Sequence, residues 1–238
     1  MDSRHTVVDA LSELPRLGGY FALTPRDEPD AAELTQLAAP ETTRWFVAAT
    51  RAAIAASMAV DVESIPVRVA ASSFQLGVAA RLLSPLVGSA LCHQRIPILL
   101  PDNVFYRVSA HHPDFRTTVD ELRAIEDPTA AGAVICALLP DLFDPLHHTL
   151  RSVTGLPTRV ALGNLTSAAN GAVTVLAMTR PDLEPTGRDL VAALTRHAPL
   201  RDTGDFGRGT FTRNSCCLFY QAPGGGLCGD CVLPAARS

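Results

Sequence analysis

The sequence predicts an α+β fold that is predominantly α-helical, with a helical domain, a small β-hairpin and a cysteine-bearing C-terminal segment. Two observations predict the helical domain: apolar residues recur at helical spacing over the first 200 residues, and 47% of the 238 residues are hydrophobic, enough for a core. A third concerns the end of the chain, where four of the six cysteines follow residue 215. A chain of this size does not need crosslinks or a metal in order to fold.

The N-terminal half reads as a series of helices. Apolar spacing predicts a first helix at 7–14, a short one at 30–38 and an alanine-rich one at 41–60 with an acidic N-terminus. A long apolar stretch follows at 69–92. It contains Ser84-Pro85, and serine followed by proline is a helix start signal, so we expect two helices there.

A β-hairpin is predicted near 96–109, because strand-like runs flank the turn sequence Pro101-Asp102-Asn103. Beyond it, helical patterns resume until residue 198, where a glycine-rich loop and short strand-like pieces begin. We therefore divide the chain into a helical scaffold and substrate domain at 1–200 and a C-terminal metal-binding segment at 201–238. The later helices are expected at 117–126, 129–138, 142–154, 158–179 and 186–197.

Composition and charge exclude several classes of function. The net charge is −4, and the 20 basic residues, all arginine, form no cluster in the sequence, so no nucleic acid partner is expected. The most apolar tracts are interrupted by Arg51, Arg81 and Pro140, which predicts no transmembrane segment and leaves peripheral membrane contact open. The N-terminus lacks an apolar secretory core, which predicts a cytoplasmic protein. There is no glycine fingerprint for a bound flavin or nicotinamide.

The C-terminal cysteines follow the pattern C-C-x10-C-x2-C, formed by Cys216, Cys217, Cys228 and Cys231. Four thiolates suit a [2Fe–2S] cluster, a [4Fe–4S] cluster or a structural zinc ion. Disulfides are disfavoured in a reducing compartment, and one between neighbouring residues would strain the trans peptide. The adjacent pair is unusual for zinc and for plant-type ferredoxins alike, so the residues alone predict a four-thiolate metal site and leave the metal open.

The motif resembles the C-terminal signature of the FhuF-type ferric-siderophore reductases. The likeness is carried by the runs 215–220 and 223–231, and it extends to segments 68–88 and 163–171 farther upstream. Leu162 departs from the pattern, since members of the family often have tryptophan before the Gly-Asn pair.

The resemblance implies a [2Fe–2S] cluster held by the four C-terminal cysteines, and a cytoplasmic oxidoreductase that reduces a ferric siderophore by one electron to release Fe²⁺. Its partners would be the ferric siderophore and an electron donor such as a ferredoxin. No catalytic residue separate from the cluster is expected. Two alternatives remain at this point: an iron–sulfur electron-transfer or sensing protein without siderophore activity, and a helical binding module with a structural zinc clip.

Arg208, Arg213 and Asn164 are candidate contacts for an anionic chelate or for the electron donor. The alternative for the two arginines is a solvated loop. The alternative for Asn164 is a close-packed helix crossing, because it lies among small residues on one helical face. The remaining cysteines, Cys92 and Cys136, are predicted to fill the core.

Overall fold

A computed structural model describes residue 7 and residues 10–26, 30–207 and 209–233. It confirms a predominantly helical α+β fold, with 59% helix and 12% strand. The helix Val67–His93, one of two helices of 27 residues, is buried along its C-terminal half and packs mainly against the helices Thr158–Ala177 and Pro40–Met58. The α-helices of eight residues or more are α1 (Pro40–Met58), α2 (Val67–His93), α3 (Pro128–Thr154), α4 (Thr158–Ala177) and α5 (Glu184–Leu194).

Two of these helices run through prolines that were expected to divide them. Helix α2 continues past Pro85, and α3 continues past Pro140 and also past Pro145, which lies within the helix expected at 142–154. A proline inside a helix removes a backbone hydrogen bond and costs about 3 kcal/mol. Burial of the surrounding turns offsets that cost, since every residue from 82 to 91 is buried. The predicted break at Ser84-Pro85 is therefore wrong, as is the division into 129–138 and 142–154.

The strands pair differently from the prediction. The chain forms one four-stranded sheet in the order β1-β5-β4-β2 and two two-stranded sheets, β3-β6 and β7-β8. The strands are β1 (Thr24–Pro25), β2 (Ala32–Glu33), β3 (Arg95–Pro97), β4 (Val104–Ser109), β5 (His112–Thr117), β6 (Leu122–Ala124), β7 (Gly204–Asp205) and β8 (Thr212–Arg213).

The hairpin joins β4 to β5, and its turn lies at residues 110–111, where Ala110 has a φ of 51°. The expected partner strand at 96–100 pairs instead with β6, through Arg95–Pro97. Asn103 explains the difference: its side chain accepts from Leu100 N–H and donates to Ile98 C=O, which closes a local loop. The helix expected at 117–126 is also wrong, because β5 ends at Thr117 and Leu122–Ala124 forms β6.

Predictions for the other helices vary in outcome. The helices expected at 41–60, 158–179 and 186–197 are confirmed within a few residues as α1, α4 and α5. Segment 30–38 forms β2 and a 3₁₀ turn instead of an α-helix. In segment 7–14, residues 10–13 are helical, whereas residues 8 and 9 lie outside the described part.

The core surrounds α2 and includes one of the two isolated cysteines. Phe46 stacks on Phe74, with ring centroids 5.2 Å apart. Cys136 is buried with its Sγ atom 3.7 Å from the carbonyl oxygen of Leu194, and burial raises its pKa to about 12. Cys92 is partly buried against the same core. Both cysteines thus pack as the sequence predicts.

Helices α2, α3 and α4 each have the length and composition of a membrane-spanning helix. Their most apolar windows have mean hydropathies of 1.3, 1.4 and 1.3, and 78%, 50% and 61% of these windows is buried inside the protein. Arg81 and Pro140, which were expected to interrupt the apolar tracts, lie inside continuous helices. The absence of a transmembrane segment therefore stays a prediction.

Helices α3 and α5 meet at a glycine, and a larger residue there should destabilise the fold. A Cβ atom on Gly132 would lie 2.8 Å from the Cβ of Ala193. We expect Gly132→Val to lower the free energy of unfolding by about 1–3 kcal/mol through overpacking, measured by urea denaturation. The control is Ala133→Val at the exposed neighbouring position, where only a few tenths of a kcal/mol of helix propensity is lost. Equal losses in the two variants would contradict this packing.

Candidate metal centre

The C-terminal segment begins at the short ladder of β7 and β8, in which Gly204 pairs with Arg213. The backbone N–H of Arg213 donates to the carbonyl oxygen of Asp230 at 3.0 Å, so the chain before the first cysteine pair is tied to the chain within the second. Asn214 adds a second tie, from its backbone N–H to Thr203 C=O at 2.8 Å. These bonds bring both ends of the cysteine motif to one place.

A tight turn between the two cysteine pairs folds the second pair back onto the first. Leu218 begins it with a φ of 72°, and Gly224 continues it with a φ of 69°. The Gly225 N–H donates to Ala222 C=O at 2.8 Å, and a Cβ atom on Gly225 would overlap the carbonyl oxygen of Phe219. The Gly225 amide therefore stabilises the turn.

Two of the four C-terminal cysteines are in direct contact. The Sγ atoms of Cys217 and Cys228 are 3.7 Å apart. Cys216 Sγ accepts from Leu218 N–H at 3.3 Å, and Cys231 Sγ accepts from Leu233 N–H at 3.4 Å. Cys217 is buried, whereas the other three cysteines are partly exposed. Within residues 30–207 and 209–233 and the other described positions, no three His, Cys, Asp or Glu side chains surround a single metal position.

The contact between Cys217 and Cys228 makes one sulfur of the pair more acidic. The hydrogen bond with Cys228 lowers the pKa of Cys217 to about 6, helped by the Phe219 backbone N–H and by the charge of Arg213. The same contact raises the pKa of Cys228, and burial adds to that rise. Thiolate is the form that binds metal, so this contact favours an ionised sulfur in the pair.

Arg213 is fully buried beside these cysteines. Its Nε donates to the Ser215 carbonyl oxygen at 2.6 Å, and its Nη2 donates to Oδ1 of Asn164. Asn164 is also fully buried, and its Nδ2 donates to Ser72 Oγ at 3.0 Å and to Gln75 Oε1 at 2.8 Å. The C-terminal segment is thus bonded to α4 and, through Asn164, to α2.

The hydrogen bonds continue from Gln75 to α3. Gln75 Nε2 lies 3.0 Å from His147 Nε2, and the imidazole stacks on Phe143. Burial lowers the pKa of His147 to about 4, so the ring is neutral at pH 7. We call Arg213, Asn164, Gln75 and His147 the buried polar chain. Neither Gln75 nor His147 was predicted from the sequence as part of the site, although a glutamine within a largely apolar helix is a signal that points to the first.

Gly163 and Asn164 allow the C-terminal segment to approach α4. A Cβ atom on Gly163 would overlap Ser215 Oγ and would lie 3.3 Å from Arg213 Nη2. The structure therefore supports the close-packed alternative for this part of α4. Neither Asn164 nor Arg213 reaches the surface, so a chelate outside the protein would not touch them. Arg208, the third candidate contact, lies outside the described residues.

Three buried polar atoms next to the cysteines have no hydrogen-bond partner: Arg213 Nη1, Ser215 Oγ and Asp230 Oδ2. Buried polar groups are normally hydrogen-bonded. The guanidinium nitrogen and the hydroxyl are donors that suit the sulfide and thiolate acceptors of an iron–sulfur cluster. The residues present therefore fit a cluster bound at Cys216, Cys217, Cys228 and Cys231.

A helical scaffold that holds four cysteines on a folded-back C-terminal segment defines the class of a thiolate-ligated metalloprotein. Within that class, residues 213–233 match the family model of the FhuF 2Fe–2S C-terminal domain. This match confirms the FhuF-like resemblance, identifies the cofactor as a [2Fe–2S] cluster, and favours iron–sulfur over a zinc clip. The search of curated proteins found no match to the chain.

The ligand set predicts which cysteines the visible absorption of the cluster requires. Single Cys→Ser changes at 216, 217, 228 and 231 should each abolish or strongly alter the spectrum and lower the bound iron, because each removes a thiolate ligand. Cys92→Ser and Cys136→Ser are the matched controls and should keep the wild-type colour. An unchanged spectrum in any of the first four variants would show that the ligand set is wrong.

The close contact at Gly163 predicts that a methyl group there weakens docking of the cysteine segment. We expect Gly163→Ala to lower the iron bound per chain while the helical circular dichroism is retained, because overpacking of this kind costs about 1–3 kcal/mol. The control is Gly171→Ala in the same helix, where a Cβ atom would have no neighbour within 4 Å. Equal iron content in the two variants would contradict the contact.

Proposed function

We propose that this protein is a cytoplasmic ferric-siderophore reductase that passes one electron to a bound ferric chelate and so releases Fe²⁺. The electron would come from a donor such as a ferredoxin. The 2Fe–2S domain gives the proposal its redox centre. The observation that supports binding of a chelate is an open groove lined in part by Phe219, two residues beyond Cys217.

The groove has two halves that share Tyr20, Ser73, Gly77 and Phe219. One half has a volume of about 380 Å³ and the other of about 470 Å³. Each is within the size range of small-molecule sites, about 300–1,000 Å³. Their floor is α2, so the groove rests on the most deeply buried helix of the fold.

Phe219 connects the groove to the metal centre. Its ring lines both halves of the groove, and its backbone N–H forms a hydrogen bond with Cys217. A chelate lying against this ring would therefore be separated from a cluster ligand by one residue. This proximity is what electron transfer from the metal centre to a bound molecule requires.

The two halves of the groove offer different chemistry. The smaller half contains Arg81, whose guanidinium lies over the Tyr20 ring at 4.9 Å from the centroid and donates to Gly77 C=O at 3.1 Å. His112 lies in the same half of the groove, and burial, followed by the charge of Arg81, lowers its pKa. The larger half is mainly apolar, with Leu76 and Val175 among its lining residues.

This combination suits an iron chelate with oxygen donors at its centre and carbon arms around them. The charge and the aromatic faces near Arg81 can meet the metal-bound oxygens, and the apolar half can cover the arms. When bound, a [2Fe–2S] cluster supplies one electron at a time. The chain's own residues hold and orient the chelate against Phe219. Hard oxygen donors bind Fe²⁺ more weakly than Fe³⁺, so one electron loosens the complex and no general base or nucleophile is needed.

Filling the groove should slow reduction of a chelate without affecting the cluster. We expect Gly77→Phe to keep the wild-type iron content and electron paramagnetic resonance spectrum, because position 77 lies in the groove floor and not at the cysteines. The rate at which a ferric hydroxamate or catecholate reoxidises the pre-reduced protein should fall about tenfold or more, equivalent to about 1.4 kcal/mol of lost interaction. Stopped-flow absorbance measures this rate.

Two controls separate binding in the groove from electron transfer itself. Ala133→Phe changes an exposed position outside the groove and should react as the wild type does. Ferricyanide is small and does not need the groove, so it should reoxidise Gly77→Phe at the wild-type rate. If the pre-reduced wild-type protein reduces each ferric chelate no faster than dithionite alone reduces it, the electron-carrier or sensing alternative is favoured.

A further inference from the structure

The charge of Arg213 has no visible counter-charge. The side chain is fully buried, and no carboxylate of the described residues lies within 4 Å of its guanidinium. Burying an ion without a partner of opposite charge is costly, and in proteins such ions are paired or bound to a metal site. The contacts of the guanidinium therefore leave its charge without a carboxylate partner within 4 Å, although the buried carboxyl of Asp230 lies nearby, on the residue whose carbonyl oxygen accepts from Arg213 N–H.

The atoms that contact the guanidinium are neutral. Nε donates to the backbone carbonyl of Ser215 and Nη2 donates to the side-chain amide of Asn164, while Nη1 has no partner. Hydrogen bonds to neutral oxygens orient the group but do not neutralise it. The one free donor thus marks where the missing anion would lie.

The C-terminal cysteines follow Arg213 closely in the chain and become anionic when they bind a metal. Arg213 precedes the first pair by three residues, and its Nε donates to the carbonyl oxygen of Ser215, the residue before Cys216. A cluster held by four thiolates carries a net negative charge, which grows by one on reduction. The negative charge of the cluster therefore increases by one each time it accepts an electron.

We propose that Arg213 is the buried counter-ion of the [2Fe–2S] cluster, and that its charge raises the reduction potential by favouring the more negative, reduced state. A cation in a site of low polarity acts on a nearby charge far more strongly than one in water does. Hydrogen bonds and charges around the sulfurs are known levers on the potential of such clusters. Arg213 is a positioning and tuning residue in this role, not a catalytic one.

The buried polar chain fixes the direction of this charge. Asn164 uses its amide nitrogen for Ser72 and Gln75, so its oxygen is turned to Arg213. Gln75 in turn uses its oxygen for Asn164 and its nitrogen for neutral His147. The order of donors and acceptors leaves Arg213 as the charged end of the chain. This arrangement holds the guanidinium between α4 and the cysteine segment.

The test is a redox titration of the iron-loaded protein, followed by electron paramagnetic resonance. Arg213→Gln should shift the midpoint potential downward and alter the spectrum of the reduced cluster. Arg213→Lys keeps the charge and should recover most of the wild-type potential, which a residue with only a packing role would not do. Arg201→Gln is the matched control, because Arg201 is exposed in the same segment and its charge is screened by water and salt. A loaded Arg213→Gln protein with the wild-type potential would overturn the proposal.

A second variant tests the counter-ion proposal if the Arg213→Gln protein does not retain the cluster. Asn164→Asp keeps the size of the side chain and Arg213 itself, but places a carboxylate against the guanidinium. The midpoint potential should then fall, whereas Asn164→Ala should change it less. Cluster loss from Asn164→Asp alone, with the helical circular dichroism intact, also supports a counter-ion role. An unchanged potential in Asn164→Asp, or cluster loss from all of these variants including Arg213→Lys, would assign the network a structural role only.

Discussion

The hydrogen bond between Arg213 and Asn164 joins the two parts of this molecule. On one side is a helical core that is nearly all apolar, and on the other is a short segment with little regular structure of its own. Packing alone gives that segment few anchors, since its buried residues are limited to a small set that includes Phe211, Cys217 and Ala222. A charged hydrogen bond to a fully buried amide is directional, so it sets the position of the segment on α4 as well as its attachment.

The hydrogen bond between Arg213 and Asn164 also fixes which residues face the protein interior and which line the groove. Helix α2 carries Ser72, which bonds the buried polar chain, and next to it Ser73, which lines the groove. The C-terminal segment likewise places Cys217 inside and Phe219 at the groove wall. In the proposed reductase, one helix and one turn therefore set the distance between the redox centre and its substrate. Three exposed apolar side chains, Tyr220, Leu227 and Val232, also lie on this segment.

The sequence was informative where chemistry or periodicity is local, and misleading where tertiary contacts decide. The cysteine motif and helices such as Thr158–Ala177 needed only spacing and residue type. Pro85 and Pro140 read as breaks because local rules omit the burial that keeps their helices continuous. The buried polar chain was beyond prediction for a related reason: Gln75 and His147 are 72 residues apart, and only the packing of α2 on α3 brings them together.

Binding of the cluster and docking of the segment are consequently linked. Without an anion beside it, the guanidinium keeps a buried donor unpaired, and an unsatisfied buried polar group costs about 1–3 kcal/mol, more when it is charged. An anionic cluster removes that cost only when the segment is docked on Gly163 and Asn164, because only then is Arg213 buried beside the cysteines. Any group that binds one state of a protein and not the other stabilises the state it binds. With Arg213 as its counter-ion, as proposed above, the cluster therefore stabilises the docked position of its own binding segment on α4.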